Sequence, residues 1–359
     1  MRVGWKARDV GTRADDLDLN EGDLMSEPNA VATAPSSWST GTQSDRRSKI
    51  GIVGAGAVGS SLAYFCQIRG IAREIAIYDV AGDKVRAEAA DLSHGAMFSP
   101  STVVTGSDDV SILNGSDIVV ITAGAKQKPG QPRLELAGAN VDILRALTPK
   151  LLEAAPDAIY VLVTNPCDVL TSVFRELSGL PKERVMSSGT VLDTSRLRLR
   201  LAEEAGVSPT SVHAMIVGEH GDTEFPLWSI ANIGTVPLVD WRGENGELAF
   251  PQEVREKIAD EVMHAAYSVI AGKGATNYAI GMAGGSICQA ILADHHAVMP
   301  VSTILDDYQG ISGVALSVPS VVGRAGVLQQ LPVPMSDGEI QQLKNSAEAL
   351  KSSLNSLGF

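Results

Sequence analysis

Cysteine is scarce in this chain of 359 residues: Cys66, Cys167 and Cys288 are the only three, far apart and without paired spacing. That argues against a disulfide framework and against a thiolate zinc site, and it fits a reducing cytoplasm. Long apolar runs are missing too. None approaches the roughly 18 residues that a membrane span needs, and the N-terminus has no apolar core of a signal peptide. Positive charge is in deficit, with 29 Lys and Arg against 42 Asp and Glu and a net charge of −13, so the molecule as a whole repels nucleic acid and anionic membrane surfaces. A small anionic substrate therefore needs a local group of cations. Metal-ligand constellations are also lacking. The adjacent Asp294, His295 and His296 fall near an expected helix end and read as solvated, so no metal is predicted.

What is present begins with a change of composition. Residues 1–47 mix acids (Asp15, Asp16, Asp18, Glu21, Asp23) with a Ser/Thr/Pro/Ala tract from Pro28 to Ser44, and they hold no sustained apolar period, which predicts a mobile tail. Met25 offers an alternative start within it. From Lys49 the pattern changes: "KIGIVG" is a short apolar strand that runs into "GAGAVGSSLAYFCQIRG", which has helical spacing. Gly54, Gly56 and Gly59 form G-x-G-x-x-G across that junction, the arrangement that lets a backbone turn tightly, approach a pyrophosphate and present a helix N-terminus to it. A second strand, "EIAIYD", ends in Asp79, where a carboxylate accepts hydrogen bonds from an adenosine ribose and repels a 2′-phosphate. NAD is thus favoured over NADP.

Three further apolar runs, "DIVVIT", "AIYVLV" and "RVMSSG", alternate with helix-like segments at 134–154 and 166–178. The alternation predicts an α/β fold, a Rossmann doubly wound parallel sheet over 48–190 with ligand sites beyond the strand C-termini. Over 191–359, the strands "VHAMIVG", "AVMPVST" and "GVALSVPSVVG", helices near 251–271 and 277–293, and a helix from 337 opened by the capping box "SDGE" predict a second, α+β substrate or catalytic domain. Between them lies "GTVLDTSRLRLRLAEEAG", where Asp193 and Arg196 share a helix face and Arg198 diverges from it. Such a pair is a carboxylate beside a bidentate carboxylate clamp, or a surface ion pair. In "IVGEHGDTEF", His220 follows an apolar run; taken alone, a histidine in that setting is more often structural than catalytic.

In order along the chain, "GAGAVGSSLA", "AGAKQKPGQPRL", "VTNPCDVL", "LDTSRLR", "VGEHGDTEFPLWS" and "GKGATNYAIG" resemble the L-lactate dehydrogenases of bacteria, within the superfamily of lactate and malate enzymes. The match runs from about Lys49 to the C-terminus and leaves the tail outside. The resemblance implies His220 as acid/base, Asp193 as the carboxylate that orients its ring, Arg196 as the clamp on a substrate carboxylate, and Arg133 as the polarising group on a closing loop from Gly124 to about Leu134. It implies substrate contacts at Gln127, Asn165 and Thr276, and cofactor contacts at Gly54, Gly56, Val58, Gly59, Asp79, Lys84, Asn140, Thr164 and Asn165. Gln127, flanked by Lys126 and Lys128, is the position at which malate enzymes carry arginine; a neutral amide there favours pyruvate over oxaloacetate. Arg198 and His213 match the positions that respond to fructose 1,6-bisphosphate in some bacterial members, and a continuous strand through His213 and His220 would direct the two histidines to opposite faces. A cytoplasmic homotetramer working on lactate and pyruvate with NAD, in glycolytic fermentation, is what the resemblance implies as a whole. A malate dehydrogenase and a silent NAD-binding protein on the same fold remain open at this point.

Overall fold

A computed structural model of the chain describes residues 48–125 and 133–359, without the side chains of residues 133 and 134. The reading of residues 1–47 as a tail, and the loop residues Lys126, Gln127 and Lys128, lie outside the described residues. The first half alternates as predicted: β1 (Lys49–Val53), α1 (Ala57–Arg69), β2 (Glu74–Tyr78), α2 (Gly82–His94), β3 (Val103–Ser107), β4 (Ile118–Ile121), α3 (Arg133–Ala154), β5 (Ile159–Leu162), α4 (Cys167–Ser178), β6 (Val185–Ser187) and α5 (Val191–Ala205). The sequence reading did not find β3. Its segment VVTGS has only one fully buried position, which leaves little apolar signal, and it forms the outer edge of the sheet beside β2.

The second half contains the short strands β7 (Val212–His213), β8 (Ile216–Val217), β9 (Phe225–Pro226), β10 (Asn232–Ile233) and β11 (Val236–Pro237). Helices α6 (Gln252–Lys273) and α7 (Tyr278–Leu292) follow, then β12 (Ala297–Met299), β13 (Ser302–Ile304), β14 (Ala315–Ser317), β15 (Ser320–Gly323), β16 (Gly326–Gln330) and α8 (Asp337–Ser356). The capping box at Ser336 and Glu339 is formed as predicted. The three strands expected here are each split in two. "VHAMIVG" divides into β7, which pairs with β10, and β8, which pairs with β9, so the parity argument that set His213 and His220 on opposite faces of one strand does not hold.

The main sheet has the order β14-β13-β6-β5-β4-β1-β2-β3. Its six strands from β1 to β6 are parallel, and β13 and β14 extend the β6 edge antiparallel. The order reverses between β1 and β4, the point at which open α/β sheets leave a crevice for ligands. Alternate residues of each strand feed different cores, which is why the strands read as continuous apolar runs. Ile118 and Val120 pack with Ile50, Ile52, Leu62 of α1 and Ile287 of α7. Val119 and Ile121 pack with Tyr160, Leu151 of α3, Phe174 of α4 and Leu343 and Leu350 of α8. All three cysteines are buried free thiols. Among the described residues, no helix is long and apolar enough to cross a membrane.

Phe174, fully buried and with its ring centroid 4.9 Å from that of Tyr160, anchors the second of these cores. Phe174→Ala is expected to destabilise the fold by about 3–5 kcal/mol, read as a lowered midpoint in urea unfolding.

Candidate active site

The chain turns sharply after β1. Gly54 has φ +111°, and a β-carbon there would meet the Ala123 nitrogen and the Thr122 hydroxyl at 2.8 Å. At Gly59 a β-carbon would lie 2.0 Å from the Gly54 carbonyl oxygen, so the first turn of α1 can approach the strand end only without a side chain. Gly56 caps α1 and offers no side chain to its first N–H groups, while a β-carbon at Gly56 would meet nothing within 4 Å. Those open donors, with the helix dipole behind them, form a cradle for a pyrophosphate. Asp79 follows β2, where its carboxylate accepts the Ala55 N–H at 2.7 Å and the Ala81 N–H at 2.9 Å, which braces the glycine turn. Val58 is half-buried on α1, and Lys84 is exposed on α2.

The loops after β4 and β5 are fastened together. Asn140, buried on α3, accepts the Ala125 N–H at 2.7 Å and donates to the Asn165 carbonyl at 2.8 Å, and the Thr164 hydroxyl donates to the Ala123 carbonyl at 2.8 Å. The glycine cradle, Asp79 and this stitched pair of loops suit a dinucleotide laid across the C-terminal ends of β1, β2, β4 and β5.

The acid–base cluster is built from two elements. Helix α5 begins directly beyond β6 and places Asp193 in its first turn, with Arg196 one turn on. The β8–β9 hairpin carries His220 in its loop. Two bonds hold hairpin to helix: Ile216 N–H donates to the Thr194 hydroxyl at 2.9 Å, and the Thr190 hydroxyl donates to the Ile216 carbonyl at 2.6 Å. Gly218, at φ +93°, exchanges two 2.9 Å backbone bonds with Ser317 of β14, which fixes where the loop leaves the sheet.

Asp193 is 2 % exposed and bonds on both sides. One oxygen lies 2.7 Å from His220 Nδ1, and the other receives Arg196 Nη1 at 2.5 Å. Burial alone would raise the Asp193 carboxyl, but the charge and hydrogen bond of His220, joined by Arg196, hold it below its ordinary value. For His220 burial alone favours the neutral ring, and the Asp193 carboxylate outweighs it, so the imidazolium is held well above its ordinary range. A quarter of the His220 side chain remains exposed. The isolated surface ion pair that Asp193 and Arg196 could have been is therefore excluded, because the aspartate is buried and shared with a histidine.

Two further carboxyls belong to the cluster and were not assigned from the sequence. Asp168, fully buried in the first turn of α4, accepts the backbone N–H of His220 at 2.6 Å. Burial pushes it up to about 6, against the pull of its hydrogen bonds and of the His220 charge. The only sequence signal was an acid at the head of an otherwise apolar turn, "PCDVL". Glu224 lies 3.7 Å from His220 Nδ1, also buried. Asp193, His220 and Glu224 are a donor set of a kind that can hold a metal. However, Nδ1 is already engaged, and Arg196 neutralises the aspartate, so the arrangement suits a proton better than a second cation.

Other predicted residues are placed as follows. Asn165 is exposed after β5, in a cis peptide with Pro166. Thr276 is half-buried between α6 and α7, next to Asn277, which donates to Ser61 of α1 at 2.9 Å and so ties this connection to the helix of the glycine turn. Arg133 opens α3, its side chain outside the described residues, as is all of Gln127. Arg198 donates from Nε to the Ala214 carbonyl at 2.9 Å, one residue from the exposed His213, and burial lowers its pKa.

Residues 48–187 match the model of the lactate/malate dehydrogenase NAD-binding domain, and residues 190–357 that of the lactate/malate dehydrogenase alpha/beta C-terminal domain. The chain belongs to the lactate/malate dehydrogenase family. An L-lactate dehydrogenase of Bifidobacterium animalis subsp. lactis is 51% identical over 311 residues, 87% of this chain and 97% of that protein. An L-lactate dehydrogenase of Kosmotoga olearia is 45% identical over 86% of this chain and 96% of its own length. The crystal structure of MGS-M5, a lactate dehydrogenase from a Medee basin deep-sea metagenome library, superposes with a TM-score of 0.83 at 35% identity, covering 88% of this chain and all of that one. This dehydrogenase therefore takes NAD, and its glycine cradle and Asp79 belong to the family's NAD-binding domain.

Asp79→Ala would leave the Ala55 and Ala81 N–H groups without their carboxylate and remove a negative charge from the end of β2. Loss of charge-assisted bonds of this kind is expected to weaken NADH binding by about 10- to 100-fold and to narrow its preference over NADPH, measured by fluorescence titration with both cofactors.

Proposed function

We propose that the chain is an L-lactate dehydrogenase that interconverts (S)-lactate and pyruvate. Residues 48–190 serve as the cofactor unit and 191–359 as the catalytic unit. The observation that carries this reading is the buried Asp193 shared between His220 at 2.7 Å and Arg196 at 2.5 Å. It sets a proton carrier beside a guanidinium, and a protein that only bound NAD would need neither.

With Nδ1 held by Asp193, His220 keeps Nε2 for the substrate and gives its proton to the carbonyl oxygen of pyruvate as that oxygen gains electron density, or takes it back from lactate. Bound NAD supplies the hydride acceptor and donor at nicotinamide C4. Arg196 engages Asp193 through one terminal nitrogen and keeps other N–H donors for the substrate carboxylate, the forked geometry that arginine offers and lysine does not. Asn165 and Thr276 complete the pocket, and Val58, Lys84, Asn140 and Thr164 hold the cofactor with the glycine turn. Arg133 polarises the carbonyl when the loop closes and excludes water. The neutral amide of Gln127 supports pyruvate, because oxaloacetate would bring a second carboxylate with no arginine to pair it.

Self-association is part of the proposal. Tyr64 and Ile68 of α1 lie beside the exposed Phe98 along one groove, with Met97 next to it, an apolar patch of the kind that a subunit interface covers. We read the assembly as a homotetramer of the cytoplasm, activated by fructose 1,6-bisphosphate at Arg198 and His213. Arg198 reaches the backbone immediately beyond His213, so the two side chains belong to one region. Activation requires subunit states that bind the bisphosphate unequally.

With NADH, kcat/KM for pyruvate is expected to exceed that for oxaloacetate by about 100-fold, and Gln127→Arg to reverse the order. A preference of the parent protein for oxaloacetate would establish malate dehydrogenase instead, and turnover of neither acid would establish a silent binder. Fructose 1,6-bisphosphate is expected to raise the rate at low pyruvate, and His213→Ala to lose that response while basal activity is kept; an unchanged response would remove His213 from the effector site.

A further inference from the structure

The hairpin that carries His220 brings a second acid to the same ring nitrogen. Glu224 lies four residues on, at the threshold of β9, and its carboxylate stands 3.7 Å from Nδ1 with 4 % of the side chain exposed. That distance is too long for a hydrogen bond, so what Glu224 exerts on the ring is charge and not direction. Direction comes from Asp193 at 2.7 Å. A buried carboxyl is costly unless it serves a partner, and nearby stand His220 on its own hairpin and Asp193 and Arg196 on α5.

We propose that Glu224 is a positioning residue for His220, a second carboxylate that keeps the imidazole protonated, and the enzyme able to deliver a proton, to higher pH than the Asp193 pair alone would. The proposal rests on His220 being the acid/base of the reaction. Burial, joined by the negative charge of Asp193, pushes the Glu224 carboxyl up to about 7, against the pull of His220 and Arg196. Its charge therefore develops near neutral pH, as rising pH would otherwise begin to strip the proton from the ring. The other groups facing the ring are Asp193, already ionised because it is held below its ordinary value, and Asp168 of α4, which accepts the His220 backbone N–H and not the ring. Glu219 is turned to Thr223, whose hydroxyl donates to it at 2.6 Å.

The sign follows from the charge. Removing an anion near Nδ1 favours the neutral imidazole, so Glu224→Gln lowers the pH at which His220 loses its proton. The test is kcat/KM against pH, from about pH 6 to about pH 9, for pyruvate reduction and lactate oxidation, in the parent protein, Glu224→Gln, Glu224→Asp and His220→Asn, with thermal midpoints alongside. In Glu224→Gln the alkaline limb of reduction and the acid limb of oxidation are both expected to move down by about one pH unit. Reduction then falls several-fold at high pH while oxidation rises at low pH. Glu224→Asp, which keeps the charge but withdraws it by one methylene, is expected to shift both limbs by a smaller amount in the same direction, and it carries the test if Glu224→Gln does not fold. Limbs that superpose on those of the parent, with turnover lowered uniformly or not at all, would overturn the proposal and leave Glu224 a packing residue. The His220→Asn arm separates the two readings. An active variant with unaltered limbs removes the acid/base assignment itself, whereas an inactive one beside unmoved Glu224 limbs overturns only the role given to Glu224.

Discussion

Everything around the acid–base cluster depends on keeping one aspartate charged where water cannot reach it. Asp193 is 2 % exposed, and a carboxylate taken out of water is costly unless partners return what solvation supplied. It has two, His220 on one oxygen and Arg196 on the other. The same exchange that keeps the aspartate ionised keeps the imidazole protonated, so each buried charge is stabilised by the other. Removing either partner would leave a charge stranded, which is why the elements that carry them are fastened so closely. Thr190 and Thr194 tie α5 to β8, and Ser317 ties the hairpin loop to β14.

The sheet explains how residues so far apart in the chain come to share this cluster. Gly54, Asp79, Asn165 and Asp193 lie beyond the C-terminal ends of β1, β2, β5 and β6, the edge from which a parallel sheet offers its loops. His220 is brought to that edge differently. The two antiparallel strands β13 and β14 extend the sheet past β6, and the Gly218–Ser317 bridge hangs the hairpin from the last of them. A chain segment more than a hundred residues downstream of β6 thus sets the position of the histidine relative to the aspartate beside β6.

Much of this fold is legible in the sequence. Where local pattern and tertiary environment agree, as in the strands of the parallel sheet with both faces buried or the capped helix α8, the elements fall where the apolar period places them. The glycine turn and Asp79 were legible because their spacing is imposed by a backbone that must turn within a few residues. The sequence reading failed where local pattern is thin. Strand β3 carries only one fully buried residue, and "VHAMIVG" is apolar apart from His213 yet divides between two sheets, with Arg198 taking the carbonyl of Ala214 and Ile216 bonding to α5. Asp168 and Glu224 were overlooked for a related reason: an acid in a sequence carries no mark of burial.

The sequence by itself determined that the chain builds a dinucleotide fold with a glycine cradle and a carboxylate at the second strand, since these follow from periodicity and steric limits acting over a few neighbouring residues. It also carries the motifs that place the chain in the lactate/malate dehydrogenase family. Only the tertiary structure decided that Asp193 is shared by His220 and Arg196, and that Glu224 and Asp168 stand at the same ring and backbone. Electrostatic environment is a property of distance through space and of excluded water, and neither is written in the separation of residues along a chain.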